Sequence, residues 1–219
     1  MQEQVILVSP TDEPLGPASK LDSHLVATHA LPLHRAFSVF LFDEDNRMLL
    51  QKRAASKLTF PSHWTNACCS HPLWVPEEMA SIKAEPALGV KRAAVRKLGH
   101  ELGIKDGEIA LEDLAYMGRV WYKAEADGGV WGEHEMDYVL VAQKEVHARP
   151  VENEVEEVRY LERAELMEWF ENEEKMGIKL TPWFKYIVGL MGDSWWSGDK
   201  LKTRAELEAC AEREKIIKV

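Results

Sequence analysis

The fold is decided by residues 89–104, which read Gly89-Val90-Lys91-Arg92-Ala93-Ala94-Val95-Arg96-Lys97-Leu98-Gly99-His100-Glu101-Leu102-Gly103-Ile104. The apolar residues recur at helical spacing, and Gly103 is typical of the position just past a helix C-terminus. The sequence therefore predicts one helix over residues 90–102, whose apolar positions are Val90, Ala93, Ala94, Leu98 and Leu102.

Segments rich in aromatic and β-branched residues lie on both sides of this helix and predict strands. They cover residues 5–8, 36–42, 48–51, 116–123, 135–142 and 158–161, with turn-rich stretches at 9–16 and 43–46. Further helices are predicted over residues 163–174, 183–190 and 203–215. The charged tail from Trp195 onward is interpreted as a packing appendage with a solvated helical face. Strands interleaved with helices indicate an α/β (α+β) sandwich.

The bulk composition excludes several classes of protein. The 219 residues suit one large domain or one domain with extensions, and 46% hydrophobic with 29% charged residues argues against disorder. We expect no membrane partner, because no apolar run reaches about 18 residues and no secretory signal is visible. The net charge of −10 argues against a nucleic-acid partner. Three cysteines, two of them adjacent, favour free thiols in a reducing compartment.

Two segments carry side chains that could take part in catalysis. In Trp64-Thr65-Asn66-Ala67-Cys68-Cys69-Ser70-His71-Pro72, Cys69 and His71 are two positions apart, which places them on one face of an extended chain. The segment Trp131-Gly132-Glu133-His134-Glu135-Met136-Asp137-Tyr138 repeats this spacing with Glu133 and Glu135. A thiol, imidazoles and paired carboxylates indicate a metal-assisted acid–base site. Cys68 points to the opposite face and is predicted to be a small buried hydrophobe.

Residues 89–104 resemble the end of a Nudix box, the helix whose glutamates hold the cations of Nudix hydrolases. Here Lys97, His100 and Leu88 stand where the resemblance calls for glutamates, and only Glu101 remains. One carboxylate is too few for the multi-metal cluster that such hydrolysis needs. The resemblance therefore implies the fold without the hydrolytic equipment.

Together with the two chemical segments, this incomplete box resembles type I isopentenyl-diphosphate Δ-isomerase of the Nudix superfamily, in its eukaryotic form. The resemblance covers about residues 20–196 and includes His34-Arg35-Ala36-Phe37-Ser38-Val39-Phe40, Phe60-Pro61 and Thr181-Pro182-Trp183-Phe184. It implies a single Nudix-type α/β/α sandwich over 1–219, with an N-terminal extension and C-terminal helices. The core would lie at about 34–170 and a helical lid and tail at about 181–219. The implied activity interconverts isopentenyl and dimethylallyl diphosphate through a tertiary carbocation, in isoprenoid biosynthesis.

The resemblance also assigns roles at the reacting carbons. Cys69 and Glu135 are implied as the acid–base pair, with Tyr122 assisting Glu135 and Trp183 facing the carbocation. A divalent metal (Mn²⁺, Zn²⁺ or Mg²⁺) is implied, with the ligands His24, His34, His71, Glu133 and Glu135. His29 stays an alternative ligand, although Lys20, four residues before His24, favours His24.

The remaining implied residues concern the diphosphate. Its cationic contacts would be Lys20, Arg53, Lys57 and Lys97, the last replacing an arginine of the family. A diphosphate-bound Mg²⁺ would be held by Glu101 and the backbone carbonyl of Cys69.

A Nudix-type diphosphate hydrolase and a noncatalytic binding module stay as alternatives. We expect a monomer in the cytoplasm or, as a mature form, in a plastid, with an isoprenoid diphosphate as its small-molecule partner.

Overall fold

The strands and helices were assigned in a computed structural model that describes residues 3–26, 31–81, 85, 87–126, 128–197 and 200–219. The strands are β1 (Gln4–Val8), β2 (Pro14–Ser19), β3 (His34–Phe42), β4 (Met48–Arg53), β5 (Trp64–Asn66), β6 (Cys68–Ser70), β7 (Ala115–Glu125), β8 (Gly132–Gln143), β9 (Val155–Leu161), β10 (Trp196–Ser197), β11 (Lys200–Leu201) and β12 (Ile216–Lys218). The helices are α1 (Lys20–His24), α2 (Pro76–Met79), α3 (Leu88–Leu102), α4 (Arg163–Met176), α5 (Pro182–Trp195) and α6 (Arg204–Cys210), with a 3₁₀ turn at Leu111–Asp113.

Within the described residues, ten strands form one mixed sheet. Its main path runs β12-β7-β8-β3-β1-β2, while β4 pairs with β3, β5 and β9, and β6 pairs with β3. The strands β3 and β8 are parallel, with His34 opposite Glu135, and β7 and β8 are antiparallel. The centre of the sheet is thus β3 and β8, and β8 begins in the segment 131–138, which carries Glu133 and Glu135.

Apolar side chains cover both faces of this sheet, because successive strand residues point to opposite sides. On β3, Phe40 and Phe42 belong to one buried cluster, which also contains α5 residues such as Phe184. Val39 and Leu41 belong to the other buried cluster, which contains the apolar positions of α3. Helices therefore pack on both faces, and the predicted α/β/α sandwich is confirmed.

The predicted helix over residues 90–102 is confirmed as α3, which ends at Gly103. Gly103 adopts φ 60°, and its N–H donates to the carbonyl of Gly99 over 3.0 Å. A Cβ at this position would lie 2.4 Å from the carbonyl oxygen of Arg149. Glycine is required here both by the left-handed backbone and by the close approach of a second chain segment.

Two predictions about local structure are wrong. Part of the stretch predicted as turn-rich, residues 9–16, lies in β2, which pairs with β1 in antiparallel register. The tail helix ends at Cys210 rather than at residue 215, and the chain then forms β12, parallel to β7. The tail supplies hydrogen-bond partners to the outer edge of β7, which a continued helix would leave unpaired.

The division into a core at about 34–170 and a lid and tail at about 181–219 stays a prediction. No described helix is both long enough and apolar enough to cross a membrane.

Candidate active site

A cavity of about 450 Å³ opens at the ends of β3 and β8. It brings together most of the residues predicted for the site, from distant parts of the chain. Those that line it are Lys20, His24, Arg53, Lys57, Cys69, His71, Glu101, Tyr122, Glu133, Glu135 and Trp183. His34 and Lys97 are not among the lining residues and lie behind them. His29 lies outside the described residues.

Strand register explains why the central groups meet. Glu135 lies opposite Tyr122 on β7 and opposite His34 on β3, and β6 places Cys69 opposite Ser38 of β3. The short helix α1 adds Lys20 and His24 from the N-terminal side. Its N-cap is Ser19, whose hydroxyl accepts a 3.0 Å hydrogen bond from the backbone N–H of Asp22.

Five buried side chains converge at the inner wall of the cavity, and their ligand-type atoms all lie within 4.8 Å of one another. They are His24, His34, His71, Glu133 and Glu135. The Nε2 atom of His24 is 2.9 Å from Oε2 of Glu133, and Nε2 of His71 is 2.7 Å from Oε1 of Glu135. The five residues predicted as metal ligands therefore form one cluster, which we call the His/Glu cluster.

Two of the three imidazoles of this cluster are oriented as metal ligands usually are, whereas Nδ1 of His71 is buried without a hydrogen-bond partner. Nδ1 of His24 lies 2.6 Å from the carbonyl of Lys20, and Nδ1 of His34 lies 3.0 Å from that of Pro32. A ring nitrogen facing a carbonyl must be the N–H, so each Nε2 keeps a lone pair for the cluster centre. Burial and the neighbouring His24 and His34 lower the pKa of His71, which favours its neutral form.

The carboxylates complete a set suited to a divalent cation. Oε2 of Glu133 is buried and accepts no hydrogen bond, although the imidazole of His24 is close to it. A buried carboxylate oxygen without a donor is costly unless a cation satisfies it. Nitrogen and oxygen donors in this number fit a six-coordinate divalent ion better than a tetrahedral zinc site.

Glu135 also faces groups that can carry protons. The Tyr122 hydroxyl donates a hydrogen bond to Oε2 of Glu135, and both side chains are buried. Cys69, Glu135 and Asp137 place their polar atoms within 4.8 Å of one another. Burial raises the pKa of the Cys69 thiol, and the nearby Glu135 carboxylate raises it further. Cys69 therefore carries its proton at neutral pH.

Asp137 is a buried acid that the sequence reasoning missed. Ser38 donates a 2.8 Å hydrogen bond to its Oδ2, and Oδ1 is buried without a hydrogen-bond partner. Burial and the charge of Glu135 raise the pKa of Asp137 well above its ordinary value. The spacing that singled out Glu133 and Glu135 continues to Asp137, so strand alternation alone could have found it.

The residues predicted for the diphosphate are all paired in this structure. Nζ of Lys20 lies 3.7 Å from Oε2 of Glu3, and Lys57 forms an ion pair with Glu154. Arg53 donates through Nε and Nη2 to the carbonyl of Thr59, among other acceptors, and its guanidinium lies 5.6 Å from the centre of the Trp183 ring. These three residues nevertheless line the cavity.

Lys97 is placed differently from the other three cations. Its Nζ lies 3.1 Å from Oε1 of Glu101 and 3.0 Å from Nδ1 of His100. Burial alone would raise the pKa of Glu101, but the charges of Lys97 and Lys57 outweigh burial and lower it. Lys97, which does not line the cavity, thus keeps Glu101 ionised. Its direct contact with a diphosphate stays a prediction.

Comparison with known proteins agrees with this geometry. A family model described as NUDIX domain matches residues 32–184. The isopentenyl-diphosphate delta-isomerase of Aspergillus fumigatus is 47% identical over 206 residues, which cover 90% of this chain and 72% of that protein. The chain belongs to the isopentenyl-diphosphate delta-isomerase family.

Other isopentenyl-diphosphate delta-isomerases show similar likeness. The mouse protein, isopentenyl-diphosphate delta-isomerase 1 of Mus musculus, is 44% identical, over 90% of this chain and 85% of its own length. The chloroplastic isopentenyl-diphosphate delta-isomerase II of Arabidopsis thaliana is 43% identical, over 89% and 69%. A solved structure from Deinococcus radiodurans, 13% identical, covers 84% of this chain and 97% of that chain with a TM-score of 0.55, which supports the fold alone.

Proposed function

We infer that this chain is an isopentenyl-diphosphate delta-isomerase that interconverts isopentenyl and dimethylallyl diphosphate, a reaction of isoprenoid biosynthesis. The observation that carries the chemistry is the convergence of Cys69, Tyr122 and Glu135 on one cavity in front of the His/Glu cluster. The reaction adds a proton to the terminal alkene carbon and removes another from the carbon next to the CH₂ bearing the diphosphate. Between these steps the positive charge lies on a tertiary carbon.

Cys69 and Glu135 are proposed to hold the two protons that move. Both line the cavity, and both are within reach of the same small substrate. Tyr122 donates to Oε2 of Glu135 and so fixes the direction in which that carboxylate faces. A proton gained or lost at Sγ of Cys69 is then matched by the opposite change at Glu135, which balances the double-bond shift.

The His/Glu cluster is proposed to hold one divalent cation, Mn²⁺, Zn²⁺ or Mg²⁺. When bound, such a cation supplies positive charge that lowers the proton affinity of Glu135. His24, His71 and Glu133 would hold it from the cavity side, and His34 from the interior. The same residues keep Glu135 in place, because its Oε1 lies within 2.7 Å of the His71 ring.

Trp183 is proposed to stabilise the carbocation. Its ring lines the cavity, with its centre 6.2 Å from that of Tyr122. An aromatic face attracts a cation by roughly 2 kcal/mol or more when water is excluded. The indole is almost fully buried, so water competes little with this attraction.

The diphosphate is proposed to bind Lys20, Arg53 and Lys57 at the wall of the cavity, with Lys97 acting through Glu101. Glu101 and the backbone carbonyl of Cys69 would hold the Mg²⁺ that accompanies the diphosphate. Glu101 suits this role because it lines the cavity and its neighbours keep it ionised.

The Nudix-type hydrolase alternative is not favoured. Of the box carboxylates only Glu101 is present, and the relatives of highest similarity reported above are isomerases by name. A noncatalytic binding module would keep the cavity but has no need for Cys69 beside Glu135.

We also propose that the protein is a monomer located in the cytoplasm or a plastid. Size-exclusion chromatography with light scattering would test the first proposal, and localisation of the tagged chain the second.

The decisive experiment incubates the chain with isopentenyl diphosphate and Mg²⁺ in D₂O. We expect dimethylallyl diphosphate that carries deuterium, no release of phosphate, loss of the reaction on chelation, and its return with metal. Unchanged isopentenyl diphosphate at full metal loading would refute the isomerase. Release of inorganic phosphate would instead revive the hydrolase.

A further inference from the structure

The carboxylate of Glu101 is held by three side chains from three different elements. Lys97 of α3 contacts Oε1 over 3.1 Å. Gln51 of β4 donates from Nε2 to Oε2 over 3.1 Å, and the thiol of Cys68 on β6 donates to the same oxygen over 3.7 Å. Glu101 itself is only 3% exposed, so water contributes little to holding it.

These contacts restrict rotation of the Glu101 carboxylate. An ionised carboxylate has about four acceptor positions, and three are used by Lys97, Gln51 and Cys68. Rotation of the group would break buried hydrogen bonds, each costly to leave unmade. Glu101 lines the cavity, so its remaining acceptor position is available to a cation bound there.

The identity of the two donors at Oε2 fits such a role. The amide of Gln51 and the thiol of Cys68 are neutral, so they orient Glu101 without adding positive charge beside Lys97. A second fixed cation would repel an incoming Mg²⁺. Oε1 of Gln51 is buried without a partner, which leaves Glu101 as the contact that sets the direction of this amide.

We propose that Gln51 and Cys68 are positioning residues that orient Glu101 for the divalent cation of the substrate diphosphate. The proposal rests on the function inferred above and extends it to two side chains that do not line the cavity. Cys68, expected from the sequence to be a buried hydrophobe only, is buried but also serves as a hydrogen-bond donor to the carboxylate.

The test compares Gln51→Met, Cys68→Ala and Cys68→Ser with the unmodified chain. Lys52→Met is the matched control, because Lys52 follows Gln51 on β4 and pairs instead with Glu156 on the surface. Mg²⁺ is titrated calorimetrically with and without inorganic diphosphate. The heat of Mg²⁺ binding to free diphosphate, measured without protein, is subtracted so that the difference reports the diphosphate-dependent ion on the protein. The Mg²⁺ concentration for half-maximal isomerisation is measured in parallel, and circular dichroism checks folding.

Loss of a partner that orients a metal ligand weakens metal affinity by about 10–100-fold. We expect a loss of this size for Gln51→Met, a smaller loss for Cys68→Ala, near-normal affinity for Cys68→Ser, and no change for Lys52→Met. Unchanged Mg²⁺ affinity in folded Gln51→Met and Cys68→Ala would overturn the proposal, as would equal losses in Cys68→Ala and Cys68→Ser. The Cys68 pair decides the question if Gln51→Met does not fold.

Failure of the inferred function gives a different result. An unmodified chain that leaves isopentenyl diphosphate unchanged contradicts the isomerase, whereas the titration with inorganic diphosphate reports on Glu101 in either case.

Discussion

Tyr122 and Glu135 lie directly opposite each other on β7 and β8, and the phenol donates a hydrogen bond to the carboxylate. Burial and the charge of Glu135 raise the pKa of Tyr122 well above its ordinary value, so the hydroxyl keeps its proton and remains a donor. The second oxygen of Glu135 faces His71 at 2.7 Å. One carboxylate thus joins the His/Glu cluster to the group that faces the substrate.

Tyr122→Phe removes this hydrogen bond and keeps the ring. We expect kcat to fall about 10–100-fold, since a hydrogen bond to a charged group contributes about 1.5–3 kcal/mol. Steady-state isomerisation measures the effect. Tyr116→Phe on the same strand is the control, because its hydroxyl donates to the carbonyl of Arg213 away from the cavity. Equal losses in both variants would show that Tyr122 acts only through the stability of the strand.

Cys69→Ala removes one of the two proton-carrying groups. General acid–base groups contribute about 10²–10⁴-fold, so we expect turnover to fall by at least about a hundredfold. Binding of the diphosphate, measured calorimetrically with isopentenyl diphosphate, should change little. Cys210→Ala is the matched thiol control, because Cys210 lies on α6 and contacts the carbonyl of Ser194. Near-normal turnover of Cys69→Ala would remove Cys69 from the mechanism.

Removal of metal should lower both activity and stability. Without a cation, the buried carboxylates and imidazoles of the His/Glu cluster lose the charge that satisfies them. At metal concentrations about 100 times Kd, the bound ion adds about 2.7 kcal/mol to the free energy of unfolding. Chelation should therefore lower Tm by several degrees, and divalent metal should restore it. Glu133→Gln should bind less metal per chain by elemental analysis. Glu157→Gln should bind as much as the unmodified chain, because Glu157 is half-buried on β9 and pairs with Arg159.

Trp183→Leu removes the aromatic face and keeps an apolar side chain. If the ring stabilises the cation by roughly 2 kcal/mol, turnover falls about thirtyfold, and Trp183→Phe falls less because it keeps a π system. Trp195→Phe, on the same helix but packed against Phe40 and Phe42, controls for loss of an indole from α5. Similar activity in Trp183→Leu and Trp183→Phe would contradict a cation–π role.

The spacing of apolar and polar residues was sufficient to predict local structure where a single helix or strand buries one of its faces. The apolar positions of α3 predicted its length and its end at Gly103. Alternation in the segments 64–72 and 131–138 predicted that Cys69 shares a face with His71, and Glu133 with Glu135, and both pairs line the cavity. The resemblance then indicated other residues, such as His24 and Tyr122, which also line the cavity. No local pattern relates those residues to Glu135, because they come from other elements.

The remaining features depend on tertiary pairing. β2 contains Pro14, Gly16 and Pro17, residues typical of turns, and becomes a strand because β1 lies beside it. The tail is rich in helix-forming residues, yet β12 forms because β7 offers a free edge there. The ion pairs Lys20–Glu3 and Lys57–Glu154 join residues far apart in the chain, and no spacing rule relates their members.

Those ion pairs change what binding of a diphosphate involves. The charges of Lys20 and Lys57 are already paired, because Lys20 lies 3.7 Å from the Glu3 carboxylate and Lys57 donates to that of Glu154. A phosphate oxygen bound at Lys57 would compete with the Glu154 carboxylate, whereas the Lys20–Glu3 pair is long and open to water and offers little resistance. If the diphosphate binds at Lys57 as proposed, a ligand of low charge would compete poorly with the Glu154 carboxylate for that lysine. This ion pair would then favour a highly charged ligand before any proton moves.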